Sequence, residues 1–176
     1  MPRNVEIKAR ATAPARQRAL AAALADSGPA TLEQEDTFFH CPTGRLKVRA
    51  FPDGAGELIH YRRPDAAGPK ASEYAVVPTP DAAALTRALA AALGVRGVVR
   101  KTRTVYLVGQ TRIHLDQVDG LGPFIELEVV LGPDDPAERG AAVAADLMKA
   151  LEIGRADLVE GAYIDLLLAA EAGGRV

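Results

Sequence analysis

The sequence predicts an α+β fold, an antiparallel sheet with helices packed outside it, and three observations lead there. Segments scattered along the chain alternate charged and apolar residues with a period of two, short Gly- and Pro-rich turns separate them, and helical periodicity arises in only four places. Side chains two apart on a strand share a face, so each alternating segment offers one apolar and one ionic face. Short turns favour antiparallel neighbours, and a minority of helices favours a sheet covered on its apolar side.

The first strand is Val5 to Arg10, where Asn4, Glu6, Lys8 and Arg10 alternate with Val5, Ile7 and Ala9. A helix rich in Ala and Leu, both strong helix formers, follows from about Ala13 to Asp26 and stops at Ser27-Gly28-Pro29. A run of strands comes next: Thr37 to His40, Arg45 to Phe51, Glu57 to Arg63 and Ser72 to Val77. In the second of these Arg45, Lys47 and Arg49 alternate with Leu46, Val48 and Ala50, and turns fall at Pro42-Thr43-Gly44, Pro52-Asp53-Gly54 and Gly68-Pro69. The second helix starts near Asp81, an N-cap residue after Pro80, and ends at Gly94. Strands Val99 to Leu107, Thr111 to Val118 and Phe124 to Leu131 then carry ionic stripes of Lys101 and Arg103, of Arg112, His114 and Asp116, and of Glu126 and Glu128. Gly120-Leu121-Gly122-Pro123 is a turn, because neither flank reads as a helix. A third helix begins around Asp135 and Pro136 and runs to about Leu151, and the last covers roughly Ala156 to Ala170.

With 176 residues and 48% hydrophobic content, the chain is expected to form one domain over residues 1–176. A net charge of -2 argues against a generally basic nucleic-acid binder, so any anion site must be local. The single cysteine, Cys41, rules out an internal disulfide and leaves no cysteine cluster for zinc. No apolar run approaches a membrane span and the N-terminus lacks a secretory pattern, so a soluble cytoplasmic protein is expected. The ionic faces must look either to bulk water or into a shared channel, and periodicity alone leaves both open.

Local strings add to this reading. In order they are Val5-Glu6-Ile7-Lys8-Ala9-Arg10, Gly44-Arg45-Leu46-Lys47-Val48-Arg49, Tyr61-Arg62-Arg63-Pro64, Arg100-Lys101-Thr102-Arg103, Thr111-Arg112-Ile113-His114-Leu115-Asp116 and Phe124-Ile125-Glu126-Leu127-Glu128, with Ala162-Tyr163-Ile164-Asp165-Leu166-Leu167 closing the chain. Together they resemble, over nearly the whole chain, the CYTH family of triphosphate tunnel enzymes, which includes class IV adenylyl cyclases, thiamine triphosphatases and inorganic triphosphatases. The resemblance implies an antiparallel β-barrel whose ionic interior forms a triphosphate tunnel, with helices outside. Glu6 and Lys8 match the second acid and the lysine of the family's N-terminal E-x-E-x-K string, Lys47 and Arg49 its basic pair, and Arg62 the basic residue after the aromatic. Lys101 and Arg103 match its K-x-R pair, Arg112 and Asp116 its R-x-x-x-D arrangement, and Glu126 and Glu128 its late E-x-E. One departure is Asn4, which stands where the family has an acid; it offers a carbonyl oxygen but no charge.

On this resemblance Lys8, Lys47, Arg49, Arg62, Lys101, Arg103 and Arg112 bind a triphosphate through charge-assisted hydrogen bonds. Glu6, Asp116, Glu126 and Glu128 are hard oxygen ligands for Mg²⁺ or Mn²⁺, and Glu6, Lys8, Glu126 and Glu128 are the expected catalytic residues. The implied reaction releases terminal phosphate from an inorganic or organic triphosphate such as tripolyphosphate, ATP or thiamine triphosphate. An alternative is a class IV-type adenylyl cyclase making cyclic AMP and pyrophosphate from ATP. A second, suggested by Asn4, is a non-catalytic polyphosphate- or nucleotide-binding protein. His114 either orients phosphate or lines a polar face, the latter being favoured, and Tyr163 is expected to pack rather than catalyse. His40, His60 and Cys41 are given no role, and Glu73 either lines the tunnel or balances a nearby base. Barrels with exposed helices often dimerise, so a homodimer is an expectation that no surface feature of the sequence marks.

Overall fold

Alternation leaves each strand with two faces to cover, and a ring of strands covers both. The computed structural model describes residues 3–174 and contains, in order, β1 (Arg3–Arg10), α1 (Pro14–Leu24), β2 (Ser27–Phe39), β3 (Arg45–Ala50), β4 (Gly56–Arg62), β5 (Lys70–Thr79), α2 (Ala82–Leu93), β6 (Val95–Val108), β7 (Thr111–Val118), β8 (Gly122–Leu131), α3 (Ala137–Ala150), a short 3₁₀ turn (Arg155–Asp157) and α4 (Tyr163–Gly173). The strands close in the order β1-β5-β4-β3-β2-β6-β7-β8, and β1 completes the ring by pairing antiparallel with both β5 and β8. Closure removes the open edges at which an antiparallel sheet would otherwise template aggregation.

The apolar halves of the strands face out, under the helices. Val5, Ile7 and Ala9 of β1, Ile113 of β7 and Ile125 and Leu127 of β8 are buried with Leu147 of α3, Leu151 and Ala21 of α1. Each large aliphatic buried there contributes about 1.5–3 kcal/mol. Gly140 lets α3 sit directly on β1, since a Cβ at that position would stand 2.7 Å from Val5 Cγ2. Helix α2 covers Phe39 and Val48, and Asp81 caps it by accepting the Ala84 N–H at 2.8 Å. Helix α4 instead closes one end of the ring, packing on Phe38, Val99, Val118 and Phe124, which share the inward parity of Asp36, Lys101, Asp116 and Glu126. Among the described residues no helix is long and apolar enough to cross a membrane.

Two elements differ from expectation. Strand β2 starts at Ser27, not Thr37, because its first half pairs only with β6 and β3 joins it from Glu35 onward. That half is largely exposed and so lacks an amphipathic stripe. The final helix starts at Tyr163 instead of Ala156. Val159 N–H donates to the Lys8 carbonyl at 2.9 Å, and Gly161 follows at φ 77°, so the chain runs extended beside β1 before it can coil.

Candidate active site

Closing the ring turns the ionic faces inward around a cavity of about 530 Å³, a size typical of small-molecule sites. The cavity has two chemically opposed walls. Strands β3, β2 and β6, consecutive in the ring, present Lys47 and Arg49, then Asp36, then Lys101 and Arg103; strands β7, β8 and β1 present Arg112 and His114, then Glu126 and Glu128, then Asn4, Glu6 and Lys8.

The basic wall is organised on one carboxylate. Arg49 donates from Nε and Nη2 to Asp36 Oδ1 and Oδ2 at 2.8 and 2.9 Å, while Lys47 and Lys101 donate to Oδ2 at 2.6 and 3.0 Å. Burial alone would raise the Asp36 pKa, but Arg49, Lys101 and Lys47 together hold it well below the carboxylate range. Burial lowers Lys101 to about 7 against the pull of Asp36, and burial with the neighbouring Arg49 lowers Lys47 to about 8.

The acidic wall follows from strand register. Glu6 lies opposite Glu128 and Lys8 opposite Glu126 on the β1–β8 ladder, and Arg112 and His114 lie opposite Glu128 and Glu126 on the β7–β8 ladder. Lys8 pairs with Glu126, Arg63 Nη1 with Glu6 at 2.9 Å, and Arg112 Nε with Glu128 at 2.9 Å. Burial would raise Glu128, but Arg112 and Arg103 help to hold it low. Burial, followed by the Arg103 guanidinium, pushes His114 down to about 3, so its imidazole is neutral near pH 7.

A divalent cation suits this wall. One ligand atom from each of His114, Glu126 and Glu128 lies within 4.8 Å of the others, and the facing Glu6 and Glu128 carboxylates place like charges side by side. His114 Nδ1 and Asn4 Oδ1 are buried without a hydrogen-bond partner. Carboxylate and amide oxygens with a neutral imidazole form a donor set acceptable to Mg²⁺ and more so to Mn²⁺.

Helix α4 floors one end. Tyr163 lines the cavity, donates its hydroxyl to Asp116 Oδ2 at 2.8 Å and holds Lys8 Nζ 3.7 Å from its ring centroid. Arg45 and Arg96 clasp Asp165 at 2.8 and 2.6 Å, and Arg63 donates to the Gly161 carbonyl at 2.7 Å, fixing the helix to β3, β6 and the end of β4. Toward the other end the lining turns apolar, with Leu32, Phe51, Val76 and Val105.

Comparison with known proteins places this geometry. The CYTH domain signature matches residues 2–163. The chain belongs to the CYTH family. A protein of Pyrococcus horikoshii OT3 has the same fold at a TM-score of 0.82 and 22% identity, over 93% of this chain and 99% of that one. A Vibrio parahaemolyticus structure, provisionally named an adenylate cyclase, superposes at 0.75 and 17% identity over 94% and 97% of the two chains. A Hippeastrum protein, provisionally an adenylyl cyclase and described as having a dominant triphosphatase activity, superposes at 0.67 and 18% identity over 95% and 96%. A Methanocaldococcus jannaschii protein, also provisionally named an adenylate cyclase, is 28% identical over 68 residues, a match spanning 39% of this chain and 39% of that protein.

Set on this CYTH barrel, Glu6, Lys8, Lys47, Arg49, Lys101, Arg103, Arg112, Glu126 and Glu128 all line one lumen. Arg62 does not. The inward residues of β4 are Glu57, Ile59 and Tyr61, and the next in parity is Arg63; Arg62 is exposed on the outer face opposite Glu73, itself exposed. Arg63, with its side chain 4% exposed against Glu6, takes the place expected of Arg62. Asp116 also departs from its expected role as a metal ligand. It faces inward but is covered, both oxygens engaged by Arg103 at 2.7 and 2.6 Å and one also by Tyr163, and so it aims Arg103 toward Glu126. Asp36 lies one residue before the strand expected at Thr37 to His40; the period-two series Phe38, Asp36, Gln34, Leu32 along the longer β2 is the signal that carries it into the lumen. His114 lines the cavity, as expected, and does so beside the Glu126 and Glu128 carboxylates, while Tyr163, though packed, also reaches the lumen.

Proposed function

We propose that this CYTH protein is a divalent-metal-dependent triphosphatase that holds an inorganic or organic triphosphate in the barrel lumen and releases its terminal phosphate. The observation that carries this reading is the facing of a basic wall on β3 and β6 against a carboxylate wall on β1 and β8 across one cavity inside the ring. A polyanion with its cation is the ligand that neutralises both. Lys47, Arg49, Lys101 and Arg103 bind phosphate oxygens, the arginines through paired N–H donors. Lys8 and Arg63 bring cations to the acidic wall, and Asp116 and Tyr163 set the directions of Arg103 and Lys8. Glu6, Glu126 and Glu128, with Asn4 Oδ1 and His114 Nδ1, would hold Mg²⁺ or Mn²⁺, which supplies charge stabilisation at the phosphoryl oxygens and a more acidic water when bound. In-line attack at phosphorus asks the protein for position and charge, which these walls provide without a covalent nucleophile.

The apolar end favours a second reading in which the substrate carries an organic group. Leu32 and Val76 line the cavity while remaining 38% and 42% exposed, and such surface suits a base or heterocycle better than water. This leaves room for ATP and for the cyclase reaction, whereas the triphosphatase activity described for the Hippeastrum relative supports hydrolysis. Incubating the protein with tripolyphosphate, ATP and thiamine triphosphate under Mg²⁺ or Mn²⁺ and resolving products by phosphorus NMR separates the readings. Orthophosphate is the expected product; pyrophosphate with cyclic AMP would establish the cyclase, and binding without turnover under either metal would establish a sensor.

A further inference from the structure

A carboxylate in the middle of an anion-binding wall is out of place by Coulomb's law, since it repels the ligand the wall is built to hold. Asp36 is nevertheless 1% exposed, uses both oxygens, and collects its partners from the two strands that flank β2, Lys47 and Arg49 from β3 and Lys101 from β6. The same region receives Arg103 from β6, Tyr61 from β4, Tyr163 from α4, 5.8 Å from Lys101 Nζ to its ring centroid, and the charge of Glu128 from across the lumen. Cations packed this closely in a buried lumen repel one another, and a long lysine side chain relieves repulsion by turning away or by giving up its proton.

We infer that Asp36 is a positioning residue for phosphate binding: its negative charge gathers Lys47, Arg49 and Lys101 into one cradle, so that neutralising it weakens triphosphate binding instead of strengthening it. This role presupposes that the lumen binds triphosphate. The titration of the wall agrees with the geometry. Burial lowers Lys101 to about 7 and Lys47 to about 8, and in both Asp36 opposes the fall. Without that charge both lysines lose their protons at lower pH, and a neutral amine is a poor partner for phosphate. Bound triphosphate itself supplies the missing charge, so the defect falls on binding rather than on turnover of the complex.

The test is tripolyphosphate titrated calorimetrically, without divalent metal, into the wild type, Asp36→Asn and Asp36→Glu between pH 6 and 9, with KM and kcat measured under Mg²⁺. Asp36→Asn is expected to bind about tenfold more weakly at pH 8, the factor for a lysine pKa displaced by one unit, with the loss shrinking toward pH 6. Its KM rises by a similar factor and kcat stays within about threefold. Equal or tighter binding at pH 8, a loss of the same size at every pH, or a fall in kcat at constant KM would each overturn the role. Should Asp36→Asn not fold, Asp36→Glu decides the question because it keeps the charge but displaces it: weaker binding with an unmoved pH profile supports positioning, and wild-type affinity overturns it. A wild type that neither binds tripolyphosphate without metal nor turns it over under Mg²⁺ defeats the triphosphate reading itself; a wild type that binds it beside an Asp36→Asn protein that binds equally well defeats only the role of Asp36.

Discussion

Neighbouring residues of the same type do different work here because strand parity sorts them. Glu126 and Glu128 share the inward face of β8 and meet Lys8, Arg103, Arg112 and His114. Replacing either with Gln keeps the volume and removes the charge that would bind a cation. Glu126→Gln and Glu128→Gln are each expected to lower phosphate release by about a hundredfold or more, in keeping with loss of an electrostatic catalytic group, with an unaltered far-ultraviolet circular dichroism spectrum. Undiminished rates in both would remove the carboxylate wall from the chemistry. Arg62 and Arg63 form the sharper contrast. Arg63→Ala removes a buried charge-assisted donor worth about 1.5–3 kcal/mol and is expected to weaken tripolyphosphate binding by roughly 10- to 100-fold. Arg62→Ala, on the outer face, is expected to change it by less than about threefold. Calorimetry on the two variants side by side gives the comparison, and equal effects would contradict the inward assignment of Arg63.

Among the elements, α4 links stability to the site. Ile164, 1% exposed, fills a notch on β6 at Gly97, where a Cβ would stand 2.4 Å from Ile164 Cδ1. Truncation to Ala leaves that notch empty and costs about 2–5 kcal/mol, which for a chain of this size lowers the melting temperature by roughly 5–15 °C. Since α4 also carries Tyr163, Ile164→Ala is expected to raise KM along with the stability loss seen by scanning calorimetry; a stability loss with an unchanged KM would detach α4 from the lumen. Elements were legible in the sequence in proportion to their local signals. Helix α2 announced itself through Asp81 and Gly94, and β7 and β8 through strict alternation over buried aliphatics. The outer half of β2 has one neighbouring strand and little burial, so nothing imposed a period on it. In Tyr61-Arg62-Arg63 two adjacent arginines satisfy either parity, and only register, set by pairing of Tyr61 with Tyr74 and Arg45, chooses between them.

For the whole molecule, closure of the ring was not legible from periodicity, because a strand alternating charge with apolar residues looks the same whether its ionic face meets water or a lumen. The family resemblance supplied closure, and closure gives the titration behaviour its sign. An unfolded lysine keeps its proton to about 10.5, whereas Lys101 in the folded lumen keeps it only to about 7 and Lys47 to about 8. Above those values the unfolded chain binds more protons than the folded one, so this part of the stability rises with pH from about 7 toward 10.5, and the cost of holding both cations is fully present below pH 7. Triphosphate bound as proposed would reverse the balance by favouring the charged amines. Binding at pH 9 is therefore expected to take up about two protons, one each at Lys101 and Lys47, falling toward none at pH 6, and affinity drops as pH rises from 7 to 9. Titrating tripolyphosphate into the protein in buffers of different ionisation enthalpy reads this number directly as the slope of apparent heat against buffer heat. Removing Lys101 as Lys101→Arg, which cannot titrate in this range, is expected to reduce the uptake at pH 9 by about one proton. Zero uptake or proton release in the wild type would mean that the basic wall meets its ligand already charged, and with it the burial of these lysines in a closed lumen would have to be given up.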